Sequence, residues 1–198
     1  SPRLAGPARF EELATQYQIP FSLLAGDPAE ISVRFNDAGT NPVRVARSIR
    51  DYVFEIAPQV TRDAREALVE TELVIHSFLF TTGGHSFARE LGIPDISVQT
   101  FPVFAPTRFF PNVVFSSLPP GPLSYLTHWL VTQIFWYGGN TSQPRFTKSH
   151  PQDFPVKLSW PFKQSDDRPV TPLVFAYSPT VLPRPADWSM PNIHIPGY

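Results

Sequence analysis

The chain has 198 residues, 42% hydrophobic and 17% charged, and its 16 Lys and Arg against 17 Asp and Glu give a net charge of −1. That balance lacks the basic excess a phosphate backbone demands, which excludes nucleic acid as the main partner. Cysteine is absent, which excludes thiol catalysis, cysteine-ligated zinc, iron–sulfur clusters and disulfides, and fits a reducing cytosol. The 24 prolines against 10 glycines argue for short elements joined by stiff, extended connections.

The N-terminal SPRLAGPARFEELA has no positive stretch followed by an apolar run, so a signal peptide is not expected. Glu11, Glu12, Leu13 and Tyr17 suit a short helix, and residues 19–24 read as a strand that ends in a Gly26-Asp27-Pro28 turn. Asn41 before Pro42 is a helix start, because Asn caps free amides and proline's missing N–H costs nothing at the first position. Ala46, Ile49, Val53 and Ile56 then recur at helical spacing, which predicts a helix over about 42–57 with a core-facing stripe. A second short helix follows at about 61–70.

Leu73-Val74-Ile75 reads as a buried parallel strand, apolar on both faces. Thr81-Thr82-Gly83-Gly84 suits a turn, His85 to Leu91 a helix stopped by Gly92, and Ile93-Pro94 the entry to a strand through Ile96 and Val98. Strand, helix and strand in so short a span form a βαβ unit and therefore a parallel sheet. Ligands of such sheets lie beyond the carboxyl ends of the strands. Here those ends are the loops starting at about Ser77 and Thr100.

No charged residue lies between Arg108 and Arg145, although the stretch holds Phe109, Phe110, Phe115, Tyr125, Trp129, Phe135, Trp136 and Tyr137. Leu126, Trp129, Leu130, Gln133, Ile134 and Tyr137 share one helical face, predicting a helix from near Pro122 to Gly138-Gly139. That face is expected to pack in the core; the alternative is an apolar ligand wall or a shallow membrane contact. The helix is too short and too polar for a bilayer span. From about 140 to 170 the chain turns polar and proline-rich and reads as irregular, and Leu173 to Tyr177 reads as a last strand.

Gly84-His85-Ser86-Phe87-Ala88 is a G-x-S-x-A variant of the nucleophile elbow, with Asp153, Asp166 or Asp167 and His194 as conceivable partners. An elbow needs its serine on the tight turn that ends the strand. Ser86 falls inside the helix instead, so serine hydrolysis stands as an alternative. Gly83-Gly84-His85 at a helix start could also meet an anion, although the plainer reading is a turn and a cap. The five histidines show no ligand spacing, and neither GxGxxG nor GxxxxGK[ST] occurs. No metal site and no phosphate loop of those types is expected.

Three segments together resemble one family, the GT-B glycosyltransferases of the sterol- and antibiotic-glucosyltransferase type, glycosyltransferase family 28. They are LVIHSFLFTTGGHSFARELGIPDISVQTFP, then Ala105 to Pro111, then Phe175-Ala176-Tyr177-Ser178-Pro179 through Val181 to Trp188 and on to His194 and Gly197-Tyr198. The third, similar to the family's F-S-P-x-V-x-P-R-P-x-D-W…H-x-x-G-Y run, is the most specific. The resemblance implies an α/β fold, a Rossmann-like parallel sheet flanked by helices that forms the N-terminal half of a GT-B fold. Residues 1–198 would be the acceptor-binding domain, without the family's first strand–helix unit, and 179–198 the lead-in to the interdomain linker.

The implied activity is transfer of a hexose from a nucleotide-diphosphate sugar to a hydroxyl of a sterol, glycolipid, carotenoid-like alcohol or polyketide. A base must reach that hydroxyl and the diphosphate leaving group must be stabilised. The resemblance assigns no catalytic residue here and no cofactor; the donor sugar would be bound mainly by a C-terminal donor domain, so this chain alone is expected to be inactive. Ser77, Phe78, His85, Thr100, Phe101, Phe104 and Thr107 would face the acceptor, with Trp129 and Phe135 as apolar lining. The implied location is cytoplasmic, with peripheral membrane contact. A free-standing apolar-ligand or membrane-surface module is the non-enzymatic alternative. An exposed sheet edge predicts a homodimer.

Overall fold

The computed structural model describes residues 1–27, 29–30, 33–34, 37, 42–149, 152, 158–163, 169–188 and 191–196. They fall into two compact units, Ser1–Glu70 with Pro144–Phe154, and Thr71–Gln143 with Pro155–Tyr198. In the first unit β1 (Leu4–Gly6) pairs in parallel with β2 (Phe21–Leu23), with the short helix α1 (Glu11–Gln16) between them. The expected helix and strand are thus present, and β1 is an addition. Asn41 and Pro28 lie outside the described residues.

Instead of two helices, one helix α2 runs from Pro42 to Ala67 with Pro58 inside it. Pro58 has no N–H for the carbonyl four residues back, which normally breaks a helix. Burial of Thr61 and Ala64 beyond it carries the helix onward. Val53 is exposed and Tyr52 is the buried neighbour, while the side chains of Ala46 and Ile49 lie outside the described residues. The chain leaving β2 is tied to α2: the Ala25 amide donates to Asp63 (2.7 Å) and the Asp27 amide to the Tyr52 hydroxyl (3.0 Å). Gly26 (φ +95°) makes that turn, and a Cβ there would lie 3.0 Å from Ile56.

The second unit holds a four-stranded, all-parallel sheet in the order β3 (Val74–Ser77), β4 (Asp95–Gln99), β5 (Leu173–Phe175), β6 (Ile193–His194). With helices flanking it, this is the expected Rossmann-like α/β architecture. Helix α3 (Thr81–Leu91) completes the β3-α3-β4 unit, and Gly92 ends it in the left-handed conformation (φ +73°). Two expectations change. Among the described residues β3 ends the sheet, and its residues alternate, Val74 and His76 buried, Ile75 and Ser77 exposed, so it is covered on one face only. The turn expected at 81–84 is already helix, because a 3-10 turn at Phe78–Phe80 reverses the chain earlier.

The glycines therefore serve contact rather than turning. A Cβ on Gly84 would lie 2.9 Å from both Cβ and Cγ of His76, so only glycine lets α3 sit this close to β3.

Helix α4 (Ser124–Ser149) continues through Gly138-Gly139, past the expected stop. Its orientation reverses the expectation too. Ser124, Thr127, His128 and Val131 are buried, whereas Tyr125, Leu126, Trp129, Leu130, Ile134 and Tyr137 are exposed. The cause is the loop before the helix, which presents polar backbone inward. Thr127 accepts from the Asn112 amide (2.8 Å), Asn112 Nδ2 donates to the Val103 carbonyl (2.8 Å), and His128 Nε2 donates to the Phe110 carbonyl (3.1 Å). Buried backbone polar groups must be satisfied, and the polar face of α4 satisfies them. Burial holds the His128 imidazole below its usual pKa. Residues 150–151, 153–157 and 164–168, part of the expected irregular stretch, lie outside the described residues.

In urea titration Gly84→Ala should lower stability by about 1–3 kcal/mol with an unchanged m-value, since the rigid His76 ring stem cannot yield. Gly121→Ala, which meets nothing within 4 Å, should stay within about 0.5 kcal/mol of the parent.

Candidate functional site

β3 and β4 pair with Ser77 opposite Val98, so their carboxyl ends lie side by side. The loops leaving them bring aromatic rings together: Phe78 and Phe101 stand 5.1 Å apart, and Phe104 meets Phe135 edge-on at 5.1 Å. Trp160 packs edge-on against Phe104 at 5.2 Å and Phe162 lies 5.8 Å from it. Phe104 is buried, while Phe78, Phe101, Phe135, Trp160 and Phe162 are partly exposed around it. Ser77 and Thr100 lie exposed at the strand ends. Such a surface offers an apolar guest area and edge-to-face contacts, with the hydroxyls of Ser77 and Thr100 at the strand ends available to a polar group.

Four of the nine residues singled out in the sequence thus meet in one cluster, and Trp160 and Phe162 join it unforeseen. The signal available was the aromatic S-W-P-F run inside an otherwise polar stretch. Trp129 sits apart, in an open groove of about 590 Å³ lined by Arg108, Pro122, Tyr125, Leu126 and itself. That groove belongs to the exposed apolar face of α4.

His85 occupies a different place, inside the unit. Its Nδ1 donates to Asp95 (3.0 and 3.1 Å) and its Nε2 meets the Ser159 hydroxyl at 2.9 Å. Asp95 also accepts from His76 Nε2 (3.0 Å) and from the Thr171 hydroxyl (3.1 Å). Burial opposes the charge on Asp95, but the hydrogen bonds from His76 and His85 outweigh it and hold its carboxyl well below the usual carboxylate range. Ser86 donates to the Thr82 carbonyl (2.6 Å) and accepts from the Ser159 amide (3.2 Å), so its proton is committed to backbone rather than to a base.

Thr107 is fully buried and donates to Asp187 (2.7 Å), whose second oxygen accepts from the Arg108 amide (2.8 Å). Burial opposes ionisation of Asp187, and these two donors outweigh it and keep the carboxyl below its ordinary value. Nearby, Arg184 donates to the carbonyls of Ile193 (2.7 Å) and Trp188 (2.6 Å), and Trp188 stacks on Phe175 at 5.1 Å. The P-R-P-A-D-W run therefore latches the chain after β5 onto the sheet.

No protein-family model matches the chain. It is similar to proteins named sterol 3-beta-glucosyltransferase: 28% identical to that of Yarrowia lipolytica and 25% to that of Cryptococcus neoformans, each over 99% of this chain. The protein of that name from Candida albicans is 26% identical over 98% of it. The chain spans 13%, 12% and 12% of the length of these curated relatives. The resemblance carried by the three segments is thereby borne out. No helix among the described residues is long and apolar enough to cross a membrane.

A carboxyl whose pKa is depressed by folding contributes stability above its unfolded value of about 3.9, and that contribution is lost as pH falls below it. Acid titration of folding should therefore show a steep loss beneath about pH 4. In Asp95→Asn, which leaves the buried donors of His76, His85 and Thr171 with a weaker acceptor, stability at pH 7 should fall by about 1–3 kcal/mol, and the acid loss should become shallower. An acid limb of unchanged steepness in the variant would remove Asp95 from this role.

Proposed function

We propose that this chain is the acceptor-binding part of a hexosyltransferase that draws on a nucleotide-diphosphate sugar, and that its acceptor is a sterol or a similar apolar alcohol. The observation that carries the reading is the aromatic cluster of Phe78, Phe101, Phe104 and Phe135 at the carboxyl ends of parallel β3 and β4. Ligands of open parallel sheets bind at such ends. Similarity to sterol 3-beta-glucosyltransferases over almost the whole chain supports the acceptor class.

In this reading Phe101, Phe104 and Phe135 hold the ring system of the acceptor, and Ser77 and Thr100 stand where its hydroxyl emerges. Trp129, in the groove with Tyr125 and Leu126, receives the acceptor at the surface. His85 and Thr107 act indirectly, the first by holding the sheet and the second by holding the loop that carries Phe109 and Phe110. Transfer itself requires a donor domain that binds the nucleotide sugar. The exposed aromatic face of α4 suits the cytoplasmic surface of a membrane, where Tyr and Trp sit at the polar boundary and where an apolar acceptor is concentrated. β3 ends the sheet among the described residues, and that edge suits pairing with a second copy.

A 3β-hydroxysterol titrated into the chain should quench tryptophan fluorescence saturably. Phe101→Ala and Phe135→Ala should each weaken binding about tenfold, equivalent to about 1.4 kcal/mol, while the exposed Val181→Ala should not. UDP-glucose should leave the signal unchanged. Tight binding of UDP-glucose, or sterol affinity indifferent to both phenylalanines, would contradict the reading.

A further inference from the structure

The geometry points to Ser159 as an activated nucleophile, the third member of an Asp95–His85–Ser159 relay competent for acyl transfer from carboxylic esters with apolar groups. The order along the relay is that of an acid, a base and a hydroxyl. Asp95, an acceptor while ionised, can bind His85 Nδ1 only if that nitrogen carries the proton. In the neutral ring of that tautomer, Nε2 offers its lone pair to Ser159 Oγ, 2.9 Å away. A ring nitrogen aimed at a hydroxyl, with its other nitrogen fixed by a buried carboxylate, is the arrangement that activates serine.

Burial grades along the relay in the useful direction. Asp95 and His85 are buried, each with a side chain 7% exposed, and Ser159 is partly exposed. His76 and Thr171 both donate to Asp95, so the carboxylate is positioned from three sides and is not free to rotate away from His85. Nor does the Ser86 hydroxyl compete for His85, because it is given to the Thr82 carbonyl. Trp160, next in the chain, packs on Phe104 and Trp136, so an apolar acyl or alcohol group would find aromatic surface beside the reacting oxygen.

The step balances within these residues and water. Ser159 Oγ forms a bond to the ester carbonyl carbon as its proton passes to His85 Nε2. The bond from that carbon to the leaving oxygen then breaks, and the alcohol departs with the proton from Nε2. Water repeats the sequence: it gives a proton to Nε2 and its oxygen to the acyl carbon, and Ser159 Oγ leaves and regains the proton. The Ser159 amide is engaged by Ser86 (3.2 Å), so the oxyanion does not receive that donor. Acylation and deacylation both pass through an oxyanion and both are slowed by that loss, so the serine is read best through an irreversible phosphonyl adduct.

The test is reaction with an alkyl fluorophosphonate, followed by peptide mapping. The relay predicts an adduct on Ser159 at a rate at least a hundredfold above that of the exposed Ser116 in the same digest. It also predicts loss of that adduct in Ser159→Ala and a fall of at least tenfold in His85→Gln, with circular dichroism confirming that each variant is folded. The comparison with Ser116 stands in the parent chain, so it decides the matter even where His85→Gln does not fold. An unlabelled Ser159, a rate equal to that of Ser116, or labelling unchanged in folded His85→Gln would each show that the three residues only clamp the structure. Sterol binding at the aromatic cluster is read separately and does not depend on this result.

Discussion

A buried carboxylate held by two histidines and a threonine is the interaction on which the second unit depends. Asp95 opens β4 and collects donors from β3 through His76, from α3 through His85, and from the lead-in to β5 through Thr171. Taking one charge out of water costs several kcal/mol unless hydrogen bonds replace the solvent. Three donors from three elements supply that replacement only when all of them are in register. The sheet, the helix, Ser159 and Thr171 are therefore fixed around one charge, and the aromatic rings at the strand ends inherit that placement through Trp160 and Phe162. Gly84 belongs to the same arrangement, since the ring of His76 reaches Asp95 across the space a Cβ would fill.

A second constraint sets which surface of the molecule is apolar. Helix α4 turns Ser124, Thr127 and His128 inward because the 103–112 loop brings backbone groups that need partners. Leu126, Trp129 and Ile134 are then left in the open. Leaving such side chains exposed forgoes roughly 1.5–3 kcal/mol apiece relative to burial. Satisfying a buried carbonyl or amide is of the same order, so the two demands compete evenly and geometry decides. The outcome is an exposed apolar face on α4, where Tyr125, Leu126 and Trp129 line a groove, apart from the aromatic cluster at the strand ends.

The β3-α3-β4 unit was legible because its signals are local: apolar runs and a left-handed Gly92 between them. The end of β5 was legible for the same reason. What was not legible rests on distant pairs. Nothing near His85 announces Ser159, 74 residues on, and β1 and β6 are too short, at three and two residues, to leave a periodic trace. Helical spacing found the apolar face of α4 correctly but assigned it to the core, because hydropathy reports what a side chain prefers and not what the neighbouring backbone requires. The helices expected over 42–57 and 61–70 are one, since the cost of Pro58 to α2 is outweighed by packing beyond it. Among the candidate site residues, the phenylalanines that follow strand ends came together. His85 and Thr107, read as loop polar groups, proved to be partners of Asp95 and Asp187.

Where an apolar alcohol touches this chain is therefore the question that decides the account. A photoreactive sterol, cross-linked in the presence and absence of excess unlabelled sterol and mapped by mass spectrometry, answers it directly. The account predicts competed labels on Phe101, Phe104, Trp129 or Phe135. Competed labels confined to the outer edge of β3 or to residues 1–67, or labels that unlabelled sterol does not displace, would contradict it.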